Sequence, residues 1–357
     1  MKHQNESCPA KEQFKTMIGG QALIEGIMMR GPEKQAVVVR KAKEGLVTKI
    51  DPLKKKTGIL TWPLIRGIVN FGGSMLSGVK CLMWSAEQAD LEEEEDVPED
   101  ETPTQKAKRE KKEQKGPSKL ETWLEKQMGS EKFMSVVIAF SLILGFGFSL
   151  LLFFLLPIEL GNLFQRWTDC GVLVQHLFEG ILRIVIFLLY MIAISKLKDM
   201  RRVFSYHGAE HKTIRCYEAR LPLTVENVRK MTRKHPRCGT SFLFVVMALS
   251  ILLFTVLTVV LNELIPGLAA LREDNRLVYN LITMAIKIFV MLPLVVSVSY
   301  EINRLVGRYD NRFTRILTVP GMWFQNFTTN EPDDSMIEVA IHALELVLPE
   351  QEGADKW

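Results

Sequence analysis

Apolar positions along this chain follow two patterns. Four runs are long enough to cross a hydrocarbon core of about 30 Å: Phe133 to Leu156, Gly171 to Ser195, Ser241 to Leu261 and Leu277 to Tyr300. The first and third carry no charge. The second contains His176, Glu179 and Arg183, and the fourth contains Lys287, which suits helices facing a bundle interior. Elsewhere the pattern is shorter. Gln35–Arg40 and Leu46–Ile50 are β-branched runs around Lys43-Glu44-Gly45, which predicts a hairpin. Residues 62–84 are apolar, but Arg66 and Lys80 leave only 13 residues between them. That is too short to span, so an interfacial or re-entrant helix is expected, with a fifth span as the alternative.

Two further helices follow from spacing. Leu120, Trp123, Leu124 and Met128 predict a short amphipathic helix at the membrane surface. Thr329-Asn330-Glu331-Pro332-Asp333-Asp334 reads as a helix start, and Ile337, Ala340, Ile341, Leu344 and Leu348 give the following helix an apolar stripe suited to packing.

Charge sharpens this into a topology. The mean hydropathy is +0.09 although 24% of the 357 residues are charged, so apolar and charged blocks are segregated. Residues 196–240 hold 12 Lys and Arg against four acids, whereas 157–170 and 262–276 hold few cations. Arg304, Arg308, Arg312 and Arg315 follow the fourth run. The positive-inside rule then puts both termini and the 196–240 loop in the cytoplasm. The opening residues hold no apolar stretch of a signal peptide, so the internal runs are expected to drive insertion. Five scattered cysteines without a CxxC pair argue for reduced thiols rather than a disulfide framework. The net charge of +4 is explained by topology, and aromatic residues are sparse among the loop cations, so nucleic-acid binding is not expected.

The expected fold is therefore a mainly α membrane protein. It has about four transmembrane helices and a small α+β cytoplasmic part built from the N-terminal segment, the central loop and the C-terminal tail. The expected segments are 1–89 (hairpin and interfacial helix), 90–119 (a disordered charged linker), 120–195 (amphipathic helix and two spans), 196–240 (the motif loop), 241–300 (two spans) and 301–357 (the tail).

The candidate chemistry is concentrated in the 196–240 loop. In His207-Gly208-Ala209-Glu210-His211 the two histidines are four residues apart and share a helix face, a spacing that suits one Zn²⁺. The order H-x-x-E-H is the inverzincin arrangement, which makes Glu210 a candidate general base. A third ligand is open among Glu218, His235 and Cys238. Near the N-terminus, glycines bracket Gln21, Glu25 and Arg30 in Gly19–Pro32. This reads either as a loop delivering those three side chains to a substrate or as a packing element with a Glu25–Arg30 ion pair. Arg237 is a further candidate for an anionic group. Arg304 and Arg308 share a helix face near the headgroups and suit phosphate contact or plain anchoring. Glu179 and Arg183, with His176 and Lys287, read as a conducting path or a structural ion pair.

Taken together, GGQALIEGIMMRGP, WPLIRGIVNF, YHGAEHKTIRCYE, HPRCGTSFL, EINRLVGR and TTNEPDD resemble the bacterial YqhQ-like family. The likeness runs from about Gly19 to Leu348. It implies a multi-pass protein of the bacterial plasma membrane, from a Gram-positive-like lineage, and a metal-dependent enzyme without a known substrate. It also implies that His207, Glu210, His211, His235 and Cys238 form a metal region and draws attention to Glu25 and Arg30.

Two functions stand side by side. One is a hydrolase using a divalent metal such as zinc on a lipid or small anionic substrate. The other is a non-catalytic scaffold, translocation accessory or small-solute transporter. The bilayer is the expected partner in both, with a protein partner or a second copy open.

Overall fold

A computed structural model describes residues 14–41, 45–54, 56–89, 130–309, 311–351 and 353–356. The linker expected at 90–119 and the amphipathic helix expected at 120–128 lie outside the described residues.

Four antiparallel strands form a sheet in chain order: β1 (Gly19–Leu23), β2 (Gly26–Arg30), β3 (Lys34–Lys41) and β4 (Gly45–Pro52). The two β-branched runs make β3 and β4, paired from Lys34↔Pro52 to Lys41↔Gly45. The glycine-bracketed motif is not a loop. It is a second hairpin, with Leu23 paired to Gly26 and a two-residue turn at Ile24 and Glu25. Glu25 sits at φ 50°, a left-handed conformation disfavoured for a residue with a Cβ.

Strand side chains alternate between faces. Ile27, Met29, Ala36 and Val38 pack on one side, and Leu23, Met28, Val37 and Val39 on the other. Both faces are covered, so β2 and β3 read as continuous apolar runs, while edge strand β4 is mostly exposed. The second face meets α1 (Ile65–Gln88) through Cys81 and Trp84.

The chain divides into two units, Leu91–Thr168 and the remainder. The described part of the first unit is one helical stretch: α2 (Ser130–Leu150), a π turn (Leu151–Leu155) and α3 (Leu156–Thr168). Residues 157–168 were expected to be a connection, but they continue the helix. The π turn stands directly before Pro157, where the missing N–H and the ring disturb a regular α turn. The same device recurs in the other unit, where a π turn over Lys287–Met291 precedes Pro293.

That larger unit continues with α4 (Val172–Ile194), α5 (Lys198–Glu218), the short α6 (Val225–Arg229) and α7 (Gly239–Leu264). Then come α8 (Pro266–Asp274), α9 (Arg276–Ile286), the π turn, α10 (Leu292–Arg308), α11 (Arg312–Thr328) and α12 (Asp334–Glu345). Among the described residues, three helical stretches are long and apolar enough to cross a membrane: Phe140–Thr168, Leu173–Ile194 and Arg276–Arg308. α7 packs against α4, α10 and α11. α1 lies along α10 so closely that a Cβ at Gly67 would stand 2.8 Å from Ser297 Cα.

The main core joins three distant segments. The first sheet face meets Tyr206, Ala209 and Ile214 of α5, and Met336, Val339, Ala340, Ala343 and Leu344 of α12. α12 begins at Asp333, whose carboxylate accepts from the Met336 N–H, an N-cap that satisfies one orphan donor. Gly208 is required by packing: a Cβ there would meet the Asn330 carbonyl oxygen, while Asn330 N–H donates to Phe204 O at 2.9 Å.

Candidate metal centre

Helix α5 places His207 and His211 one turn apart with ring centroids 4.4 Å from each other. The segment after α6 runs back along α5, and side chains of the helix bind its backbone. Lys212 Nζ donates to Arg229 O at 3.1 Å, Arg215 Nε donates to Lys234 O at 2.7 Å, and His211 Nδ1 lies 2.6 Å from Arg233 O. Buried Gln325 of α11 closes the clamp: its Oε1 accepts from His235 N–H at 2.9 Å and its Nε2 donates to His235 O at 2.7 Å. These bonds carry Cys238 to the histidine pair.

His207, His211 and Cys238 form a group that can hold a metal ion, with ligand atoms all within 4.8 Å of one another. Their protonation follows from their neighbours. His207 Nδ1 faces Thr328 O at 2.7 Å, and His211 Nδ1 faces Arg233 O. A carbonyl oxygen can only accept, so both Nδ1 atoms carry hydrogen, and a ring that gives up its second proton has its lone pair on Nε2. His207 Nε2 lies 3.2 Å from Cys238 Sγ, and His211 Nε2 is buried without a hydrogen bond. Carbonyl-anchored imidazoles presenting Nε2 beside a thiol suit metal ligation. Ligands held tetrahedrally on one zinc stand roughly 3–4 Å apart, so the donor set fits after a small contraction.

With no cation between them, His207 and Cys238 favour a thiolate–imidazolium pair, whose shared proton a metal ion would replace. Burial opposes charge on both Cys238 and His207, but their mutual attraction outweighs it. The charges of His211 and His207 hold the Cys238 thiol well below its ordinary range. Cys238 and Glu210 push His207 up to about 9.

Glu210 is buried beside this group. Its Oε1 accepts from Gly20 N–H at 2.9 Å, and its Oε2 has no partner. Burial raises its carboxyl pKa, against the pull of His207 and His211. A cavity of about 330 Å³ opens here, lined by Gln21, Arg30, Glu210, His211, Arg237 and Cys238 among others. Ser74 and Ser77 of α1 also line it and had no signal in the sequence, since nothing local ties them to the histidines.

The other sequence candidates are engaged differently, although His235 also lines this cavity, with its ring centroid 5.7 Å from that of His211. Glu218 and His235 pair with each other at 3.3 Å, and Glu218 also binds Arg237 and accepts from Thr16 N–H at 3.0 Å. Glu25 is held by Arg202, with Nε to Oε1 at 2.5 Å, and by Tyr206 Oη at 3.2 Å, rather than by Arg30. Arg304 and Arg308 do not line the cavity. Their neighbour Glu301 binds Arg66 of α1, with Nε at 2.7 Å. Glu179 accepts from Gln175 Nε2 at 3.0 Å and lies 3.2 Å from His176 Nδ1. Together with Arg183 and Lys287, Glu179 and His176 line a separate small pocket.

Fold and site describe a largely helical protein with membrane-length apolar helices and a His/His/Cys group whose histidines lie on a sheet-backed helix. Residues 62–350 match the family model described as "Protein of unknown function (DUF1385)", and the chain belongs to that family. It is 30% identical over 343 residues to the "Uncharacterized protein YqhQ" of Bacillus subtilis (strain 168), a match covering 95% of this chain and 94% of that protein. The stretch matched by the family model contains His207, His211 and Cys238, and the β1–β2 hairpin precedes that stretch. No solved structure matches the chain.

Proposed function

We propose that this protein is a four-span protein of the bacterial plasma membrane with a metal-dependent hydrolytic centre on its cytoplasmic side. His207, His211 and Cys238 are the ligands, and zinc is the ion that their soft N₂S donor set favours. The observation that carries this reading is the pair of carbonyl-anchored histidines presenting Nε2 beside Cys238. A metal held there supplies Lewis acidity. Glu210, with its unpartnered oxygen at the cavity, carries the proton. Gln21, Arg30 and Arg237 orient an anionic substrate.

Chain connectivity supports four spans. The sheet precedes the first apolar run, α5 lies between the second and third, and α12 follows the fourth, yet all three share one core. A shared core calls for one side of the bilayer, and hence an even number of crossings between each pair of segments. Two crossings between α5 and α12 need α7 as well as the Arg276–Arg308 helix. At 26 residues α7 is about 39 Å long. The same parity keeps α1 from crossing. Its outer apolar residues Ile68, Phe71, Met75, Val79 and Leu82 are exposed and suit an interfacial helix. The excess of Lys and Arg in 196–240 makes the shared side cytoplasmic.

The test is metal analysis of the purified full chain, together with complementation of a strain lacking the gene. Stoichiometric zinc is expected in the wild type and in Glu210→Gln, with function lost in the variant. A metal-free wild type alongside a fully functional Glu210→Gln sinks the proposal. A second reading, transport, is favoured by the His176, Glu179, Arg183 and Lys287 pocket. It predicts loss of function in Lys287→Met with full function in Glu210→Gln.

A further inference from the structure

A second and larger cavity, of about 650 Å³, lies at the ends of α5 and α10 beside α11. Among the described residues its lining is strongly basic: Lys15, Arg215, Lys230, Arg237 and Arg315, against a single acid, Glu218. That acid is already engaged by Arg237, His235 and the Thr16 N–H. Lys230 has Glu226 at 2.6 Å. Arg215 is half-buried and spends only Nε on Lys234 O. Burial disfavours its charge, and Arg237 adds repulsion that Glu218 opposes. Arg237 Nε is buried without a partner. Among the described lining residues, cations therefore outnumber acids five to one.

The cavity is built rather than incidental. Thr16 anchors Lys15 through its N–H to Glu218 and its Oγ1 to Asp355 Oδ2 at 2.5 Å. Phe14 packs edge-on against Tyr217, with ring centroids 5.5 Å apart. Phe14, Met231, Val306 and Met322 add an apolar wall. A volume in the range of small-molecule sites, with guanidinium groups on one side and apolar atoms on the other, matches an amphiphile bearing a phosphate.

We infer that this cavity is a binding site for a phosphate-bearing ligand, separate from the His/His/Cys cavity and touching it only through Arg237. The inference does not depend on metal at the other site. The cavity adjoins Val306 and Tyr309, at the end of an apolar helix, so phospholipid headgroups and free phosphorylated solutes are both sources of that chemistry.

The test is calorimetric titration of the purified full chain in detergent with dihexanoyl-phosphatidylglycerol, its phosphate-free counterpart dihexanoylglycerol, and inorganic phosphate. Saturable binding of the phosphatidylglycerol is expected. It should weaken about tenfold or more in Arg215→Gln and in Arg315→Gln, since a charge-assisted hydrogen bond is lost in each. Tight lipid binding without phosphate binding identifies the headgroup as the source, and phosphate binding of similar strength identifies a free solute. Arg215→Gln also removes the bond to Lys234, so Arg315→Gln, with unchanged melting and metal content, is the controlling variant. Equal binding of dihexanoylglycerol, no binding of either phosphate ligand, or affinity unchanged in both variants overturns the inference.

Discussion

Three helices of this protein carry a histidine followed three residues later by a glutamate; Glu345 of α12 is exposed, and in the other two pairs the surroundings give the glutamates opposite characters. In α4, Glu179 is satisfied: it lies 3.2 Å from His176 Nδ1, accepts from Gln175, and shares a small pocket with the cations Arg183 and Lys287. In α5, His207 turns away from Glu210 toward Thr328 O and Cys238, and the carboxylate keeps a buried oxygen without a partner. A satisfied buried acid fixes structure. An orphaned one raises the free energy of the fold, and such groups concentrate where chemistry is done. Spacing does not separate the two; the partners of the histidine do.

The largest expected effect bears on the α5 group. His211→Ala and Cys238→Ser should each drop bound zinc from about one equivalent to near none, measured by elemental analysis of the purified protein. Full retention in either variant ends the distinction between the groups. Next is Glu179→Gln, which removes the carboxylate that attracts both cations. Breaking a buried ionic group of this kind costs about 3–5 kcal/mol, so a lower melting temperature is expected with zinc content unchanged. If melting is unaffected, the α4 group is not structural.

A third effect is pH-dependent. Burial, against the pull of Glu218, holds His235 down to about 4 from its ordinary 6.5. The folded ring stays neutral where the unfolded one takes up a proton, so stability is intact above about 6.5 and falls as pH drops toward 4. At about 1.4 kcal/mol per pH unit the loss reaches roughly 3 kcal/mol. His235→Gln should flatten this part of the melting-temperature profile measured between pH 7 and 4. The smallest effect concerns the hairpin turn. Glu25→Gly relieves the positive φ but loses the partly exposed Arg202 pair and the Tyr206 Oη bond, changes of opposite sign that should leave a net loss of no more than about 1–2 kcal/mol. A much larger loss would give Glu25 a role beyond the turn.

Much of the molecule is legible from local pattern. The β3–β4 pair, the apolar stripe of α12 and the shared face of His207 and His211 all follow from periods of 2 or 3.6 residues. Other features are not. The Gly19–Arg30 motif reads as a loop or a packing element, not as strands, because its glycines mask the alternation. Helix α11 goes unread because Pro320 stands inside it. The carbonyls of Thr328 and Arg233, which set both histidine tautomers, have no signature, since every residue carries a carbonyl.

The sequence by itself determined the long apolar helices, the strands of β3 and β4 and the paired histidines, because length and periodicity are properties of neighbouring residues. Only the tertiary structure decided that Cys238, rather than Glu218 or His235, stands with the histidine pair, that Glu25 meets Arg202, and that Glu210 is left with a bare oxygen. Those outcomes depend on how segments up to 190 residues apart are laid against one another. That arrangement is fixed by the core the segments share and by the backbone acceptors they present to one another.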